Sequence, residues 1–95
     1  MKKEFSREMG FTRDEFFRLL PNAINGRTFR QDSTGVVVDI PPGQVRIDVG
    51  TQQYRKIASF TLPYIKVDFA FEQLSDDEQE RFMRYFELRY QRGGG

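Results

Sequence analysis

Ninety-five residues with ten Phe and four Tyr make one small domain whose single core is built largely from aromatic rings. Fifteen Lys and Arg against fourteen Asp and Glu leave a formal charge of +1, so the global basic field of a dedicated DNA binder is missing. There is no Cys and no His, which excludes disulfides, thiol nucleophiles, cysteine–histidine zinc sites, iron–sulfur sites and every dyad or triad built on imidazole.

The basic residues are eleven Arg and four Lys, a bias toward bidentate contacts and aromatic stacking. Neither a G-x-G-x-x-G run nor a P-loop occurs, and no cofactor is expected. Met1-Lys-Lys-Glu-Phe5 has no apolar run behind it, so no signal peptide is expected. No stretch approaches the ~20 apolar residues of a membrane span. A cytoplasmic protein without a membrane partner is the expectation.

Residues 1–10 are polar and mixed in sign and are expected to fray. Thr12 and Glu15 then form a capping box, with Phe11 and Phe16 at the staple positions. Phe16, Phe17 and Leu20 give this helix a buried stripe, and Pro21 is expected to stop it.

From Arg27 to Glu72 the apolar period is two. Arg27–Gln31 is a weak strand. Val36, Val38 and Ile40 alternate with polar neighbours, and so do Val45, Ile47 and Val49. Folding about Pro42-Gly43 sets Ile40 against Val45, Val38 against Ile47 and Val36 against Val49, with Asp39 meeting Arg46. A second fold about Pro63-Tyr64 places Ala58, Phe60 and Leu62 on the face of Ile65, Val67, Phe69 and Phe71. Ile57 is out of phase, which predicts a bulge near Ile57-Ala58 or an exposed Ile57.

Ser75 and Glu78 form a second capping box, opening a helix over about 76–91. Its core stripe is Phe82, Met83, Phe86 and Tyr90. The expected fold is therefore α+β: an antiparallel meander of about five strands, with an N-terminal and a C-terminal helix packed on one face. It is a single domain over residues 1–95. The other sheet face carries Asp39, Arg46, Asp48, Arg55, Lys66, Asp68 and Glu72. Its aspartates read as cross-strand ion pairs in high dielectric, not as catalytic carboxylates with separated pKa values. No catalytic and no metal-binding residue is expected.

The final helix offers the candidate site. Arg81, Arg84, Leu88 and Arg92 share a face away from the core, Tyr85 borders it, and Arg89 falls in the apolar arc. Three readings compete. The face is solvated and laced by Asp77–Arg81 and Glu80–Arg84 pairs. It is a protein or subunit interface with an arginine rim. Or it binds RNA or single-stranded nucleic acid through phosphate contacts and stacking.

The chain ends Leu88-Arg-Tyr-Gln-Arg-Gly-Gly-Gly95. Gly93 suits a helix cap, and Gly93, Gly94 and Gly95 together form a candidate tail. The ending resembles the Leu-Arg-Leu-Arg-Gly-Gly end of ubiquitin and the Gly-Gly ends of bacterial sulfur-carrier proteins. That resemblance implies a carrier with an activated C-terminal glycine, although in those β-grasp folds the tail follows a strand and here it is expected to follow a helix. The favoured reading is a non-enzymatic domain that acts through a protein partner or itself, its last glycines a flexible helix ending.

Overall fold

The computed structural model describes residues 4–91. The elements are β1 (Glu4–Met9), α1 (Arg13–Ala23), β2 (Phe29–Gln31), β3 (Gly35–Ile40), β4 (Gly43–Val49), β5 (Gln53–Ile57), β6 (Phe60–Glu72) and α2 (Asp76–Tyr90). The fold is α+β, with an antiparallel sheet ordered β1-β6-β4-β3-β2 and β5 also paired to β6. Residues 4–9, expected to fray, instead form β1 along β6 from Glu4↔Ala70 to Met9↔Ile65. Phe5, Arg7 and Met9 alternate toward the core side, which supplies the reason a polar segment is ordered there.

Both helices start as their sequences dictate. The Thr12 hydroxyl accepts from the Glu15 amide, and the Glu15 carboxylate accepts from the Thr12 amide. Ser75 and Glu78 repeat the arrangement on α2. Pro21 does not stop α1. The helix runs on to Ala23, and the left-handed Asn25 and Gly26 end it, with the Gly26 amide reaching the Pro21 carbonyl at 2.9 Å. This six-to-one bond is a Schellman closure, which ends a helix by satisfying its last carbonyls.

The core lies between one sheet face and the two helices. Val36, Val38, Val45, Ile47, Ile65, Val67, Phe69 and Phe71 are buried from the sheet, Phe16 and Leu20 from α1, and Phe82, Met83, Phe86 and Tyr90 from α2. The Tyr90 hydroxyl donates to the Phe16 carbonyl at 2.6 Å. This satisfies the one polar atom the ring brings in, and burial pushes the phenol well above its ordinary pKa.

The β3–β4 hairpin keeps its expected faces but not its expected register. Its loop is the two residues Pro41-Pro42, and Ile40 faces Gly43, Val38 faces Val45 and Val36 faces Ile47. Asp39 consequently meets Gln44, not Arg46. A shift of two residues preserves every face, because the side-chain period is two. Gly43 is thus a strand residue, wedged where an added Cβ would come 1.9 Å from the Glu72 carbonyl oxygen.

β4 and β5 run consecutively along one edge of β6. Val49 faces Val67, the Gly50 amide donates to the Lys66 carbonyl at 2.8 Å, and Gln53 faces Tyr64. Four steps of chain on one strand match three on the other, so residues 50–52 hold a bulge. The extra residue flips β5, whose odd-numbered side chains face the open side while those of β4 face the core. Gln52 fills the bulge. Its amide nitrogen donates to the Gln53 and Tyr64 carbonyls, and its oxygen accepts from the Arg13 amide at 2.6 Å. One side chain thereby ties the sheet to the start of α1.

No turn forms at Pro63-Tyr64: β6 runs straight through, and the chain reverses at Ala58-Ser59, with Ala58 at φ +55°. Phe60 and Leu62 therefore fall on the face opposite Ile65 and Val67, outside the core in which the sequence placed them. Pro63 is tolerated because its backbone points to the β1 edge, where Gly10 passes by and the ladder has already ended at Met9↔Ile65. Ile57 is exposed, and the bulge sits upstream of it at residues 50–52.

On the open face the expected aspartates are engaged. Arg46 binds Asp48 at 2.8 Å and Asp32 at 2.9 Å, Arg30 lies 3.7 Å from Asp39, and Ser6 donates to Asp68 at 2.6 Å. The Arg46 guanidinium, then the Thr34 and Gly35 amides, hold the Asp32 carboxyl far below the ordinary carboxylate range. A depressed folded pKa adds stability above the unfolded value near ~4 and loses it as pH falls below that. Urea midpoints between about pH 5 and pH 2 should thus fall less steeply for Asp32→Asn than for the wild type. Equal slopes would show that the turn does not hold its carboxylate charged.

Candidate functional site

The face singled out on α2 is assembled into a groove by the end of α1. The Schellman turn delivers Ile24, Asn25 and Arg27, the β3 terminus delivers Ile40 and Pro41, and α2 delivers Glu78, Arg81, Phe82 and Tyr85. The groove is open and encloses about 580 Å³, with Arg84 and Leu88 on its outer wall. Its floor is apolar, from Ile24, Ile40 and Phe82, and its rim carries three guanidinium groups. The Tyr85 hydroxyl is 3.3 Å from the Asn25 side-chain oxygen, which fixes the ring against the α1 turn.

The rim's charge is answered locally only in part, by Glu78 beside Arg81. Among the described residues neither Asp77–Arg81 nor Glu80–Arg84 closes to an ion pair, and Arg27, Arg81 and Arg84 form none. Glu78 is the groove's one carboxylate. The Ser75 amide, then the Ser75 hydroxyl, hold it below its ordinary pKa, with the Arg81 charge adding to this. It is committed to capping α2.

A second groove, of about 720 Å³, flanks α2 on the β1 side, where Met9, Phe11 and Phe86 form its apolar part and Arg7 pairs with Glu87 at 3.1 Å. Arg84 and Leu88 line both grooves and so form a ridge between them. Leu88 on that ridge is 62% exposed.

Arg81, Arg84, Tyr85 and Leu88 are thus brought together as the sequence suggested. Arg89 is not in the apolar arc; it turns to the surface, its guanidinium 4.9 Å over the Tyr85 ring. Arg92 and the Gly93–Gly95 tail lie outside the described residues. The sequence reading missed Asn25, to which it gave no role, and Arg27, which it placed in a weak strand. A Schellman pair is legible as Asn25-Gly26, but only tertiary packing sets it beside α2. It also missed the β5–β6 hairpin, where Tyr54, Ile57, Phe60 and Leu62 are large and exposed. Among the described residues no helix is long and apolar enough to cross a membrane.

Fold and groove together define a small α+β domain with a cationic, apolar-floored cleft beside its last helix. No family model, curated protein or solved structure matches the chain at a significant level.

Proposed function

We propose that the protein is a non-enzymatic interaction domain whose α1–α2 groove takes an acidic segment of a partner protein, anchored by an apolar side chain. The observation that carries this is the set of three guanidinium groups, from Arg27, Arg81 and Arg84, which close no ion pair among the described residues and stand around an apolar floor. A solvated helix face has no use for Leu88 beside them. Arginine rims around apolar centres are the composition of protein interfaces. Charge on the rim steers an acidic partner in, and the floor holds it.

Nucleic acid is the second reading, and the geometry favours it less. Tyr85 is the one aromatic ring on the rim, and Arg89 already covers it while Asn25 meets its hydroxyl. A base could not stack there without displacing that cation. A carrier role through the terminal glycines is a third, resting on residues beyond those described.

The test begins with capture of a partner from the native host and calorimetry on the purified pair. Leu88→Glu and the double change Arg81→Glu/Arg84→Glu should each weaken binding about thirtyfold, the scale of an interface hot spot of ~2 kcal/mol. All of these side chains are exposed, so the melting temperature should hold. Binding that survives both variants, or recovery of RNA in place of protein, would defeat the reading.

A further inference from the structure

β1 ends the sheet on its side: among the described residues its one neighbouring strand is β6. Half of its main-chain groups therefore point away from the sheet. The Gly50 amide donates to the Lys66 carbonyl, so Lys66 turns its main chain toward β4. By alternation Ile65, Val67 and Phe69 turn theirs toward β1, where Met9, Arg7 and Phe5 pair with them. The N–H and C=O groups of Glu4, Ser6 and Glu8 consequently face outward. The Ser6 carbonyl shows this directly, because the Arg7 guanidinium reaches round to it at 3.0 Å.

This edge and the second groove are one surface. The Glu8 side chain lies on the open face of the sheet, where Arg55 binds it at 2.7 Å. Glu8 nevertheless lines the groove on the helix side, so it meets the groove through its main chain. Met9, Phe11 and Leu88 give the groove apolar surface, and α2 is its far wall. Arg7 spans it, bonded to Ser6 at the edge and to Glu87 on α2. An unpaired strand edge beside an apolar channel suits an extended peptide. The edge offers hydrogen bonds at every second residue, and the channel receives the side chains between them.

Charge decides between a second copy of this chain and a foreign segment. β1 has six residues, and two antiparallel registers would pair most of them with the same strand of a copy. Centred on Ser6, the pairing sets Glu4 directly against Glu8, twice over. Centred on Arg7, it sets Arg7 against Arg7. Like charges directly opposite destabilise a strand pair, and charged edges keep copies of a protein apart. A foreign strand with basic side chains opposite Glu4 and Glu8 meets the complementary arrangement. Arg55 already answers Glu8, whereas Glu4 closes no ion pair among the described residues, so Glu4 is the stronger determinant.

We propose that β1 accepts an extended segment of a partner protein as an added antiparallel strand. Its apolar side chains sit in the groove beside α2, and its basic side chains lie on the open face opposite Glu4 and Glu8. The incoming amide opposite Ser6 takes the carbonyl that Arg7 holds in the free protein, and Arg7 keeps Glu87. Main-chain bonds supply affinity without regard to sequence, and the alternation of apolar and basic side chains supplies selectivity. This surface lies on the other side of α2 from the α1–α2 groove, and the proposal does not rest on the reading given for that groove.

The probe is the peptide acetyl-Val-Lys-Val-Thr-Leu-Lys-Val-amide, which sets Thr opposite Ser6 and a Lys opposite each glutamate. Titrated into isotope-labelled protein, it should shift the NMR amide signals of β1 and of the α2 residues on the groove, and slow hydrogen exchange at Glu4, Ser6 and Glu8. The same peptide with Glu in place of both Lys should bind about fivefold more weakly. N-methylation of the Thr amide, which deletes the bond to the Ser6 carbonyl, should weaken binding at least ~10-fold on unaltered protein. Ser6→Pro removes the outward N–H and spares the β1–β6 ladder, and it should also lose the peptide. Ser6→Ala, which likewise gives up the bond to Asp68, should bind within about twofold of the wild type. Arg27→Glu, on the other groove, should bind as the wild type does. Absence of shifts on β1, or binding that N-methylation leaves intact, would overturn the proposal. So would a wild-type dimer that Ser6→Pro dissolves, since β1 would then pair with its own copy.

Discussion

Phe86→Ala is expected to lower stability by about 3–5 kcal/mol, a large part of what a domain of this size has. Phe86 is buried at the centre of an aromatic cluster. Its ring is 5.0 Å edge-on from Phe69 on β6, 6.1 Å from Phe16 on α1, and 5.8 and 4.7 Å from Phe82 and Tyr90 on α2 itself. It is the side chain through which α2, α1 and the sheet meet. Truncation leaves a cavity that three rigid elements must collapse to fill, and rings do not flow as methionines do. Urea melts followed by circular dichroism measure the loss. Leu88→Ala, two residues away on the exposed ridge, should change stability by less than about 0.5 kcal/mol. A loss below ~1 kcal/mol for Phe86→Ala would mean that α2 does not present this face to the sheet.

Gly43→Ala is expected to cost about 3 kcal/mol, the upper end of what overpacking does. The Cβ would lie 1.9 Å from the Glu72 carbonyl oxygen and within 3.0 Å of Gln73 backbone atoms. These atoms belong to the end of β6 and cannot rotate aside as a side-chain terminus would. Relief requires β4 and β6 to part at the pair Gln44↔Glu72, close to the bond from the Gln44 side chain to Glu72. Gly26→Ala is the comparison: nothing lies within 4 Å of its Cβ, and its φ of +69° is the sole obstacle. That change should cost about 1–2 kcal/mol, the penalty of one left-handed residue. Thermal melts of the two variants separate a steric role from a conformational one. Equal losses would show that the Gly43 contact relaxes freely.

The Gly43 contact also explains the register of the β3–β4 hairpin. From residues alone, Pro42-Gly43 reads as the turn, because glycine and proline punctuate chains. The structure uses Gly43 as a strand residue, because the backbone at the end of β6 approaches it. Only the third strand, β6, reveals that need, and β6 is distant in sequence.

The sequence by itself determined the features that depend on neighbours within a turn or two of chain. Both capping boxes formed, because each needs one hydroxyl and one carboxylate three residues apart. The core stripe of α2 formed, because helical geometry puts Phe82, Met83, Phe86 and Tyr90 on one side whatever they pack against. The buried faces of β3, β4 and the second half of β6 formed for the same reason, with a period of two. The grouping of Arg81, Arg84, Tyr85 and Leu88 belongs to this class, being one helix surface.

Tertiary structure decided what alternation cannot encode. A strand's pattern states which residues share a face, but a single inserted residue exchanges the faces. The bulge at residues 50–52 does this to β5. The straight run of β6 through Pro63, possible because β1 ends at Met9, does the equivalent to Phe60 and Leu62. Phe60 and Leu62, which read as core, are thus exposed. β1 was hidden for a related reason. Glu4, Ser6 and Glu8 are polar, and the charged Arg7 interrupts the alternating Phe5 and Met9, so the segment shows no strand pattern and orders only because β6 offers an edge. The groove, likewise, needed α1 to end beside α2, a juxtaposition fixed by the packing of Phe16 against Phe86 and Tyr90, contacts between residues some seventy positions apart.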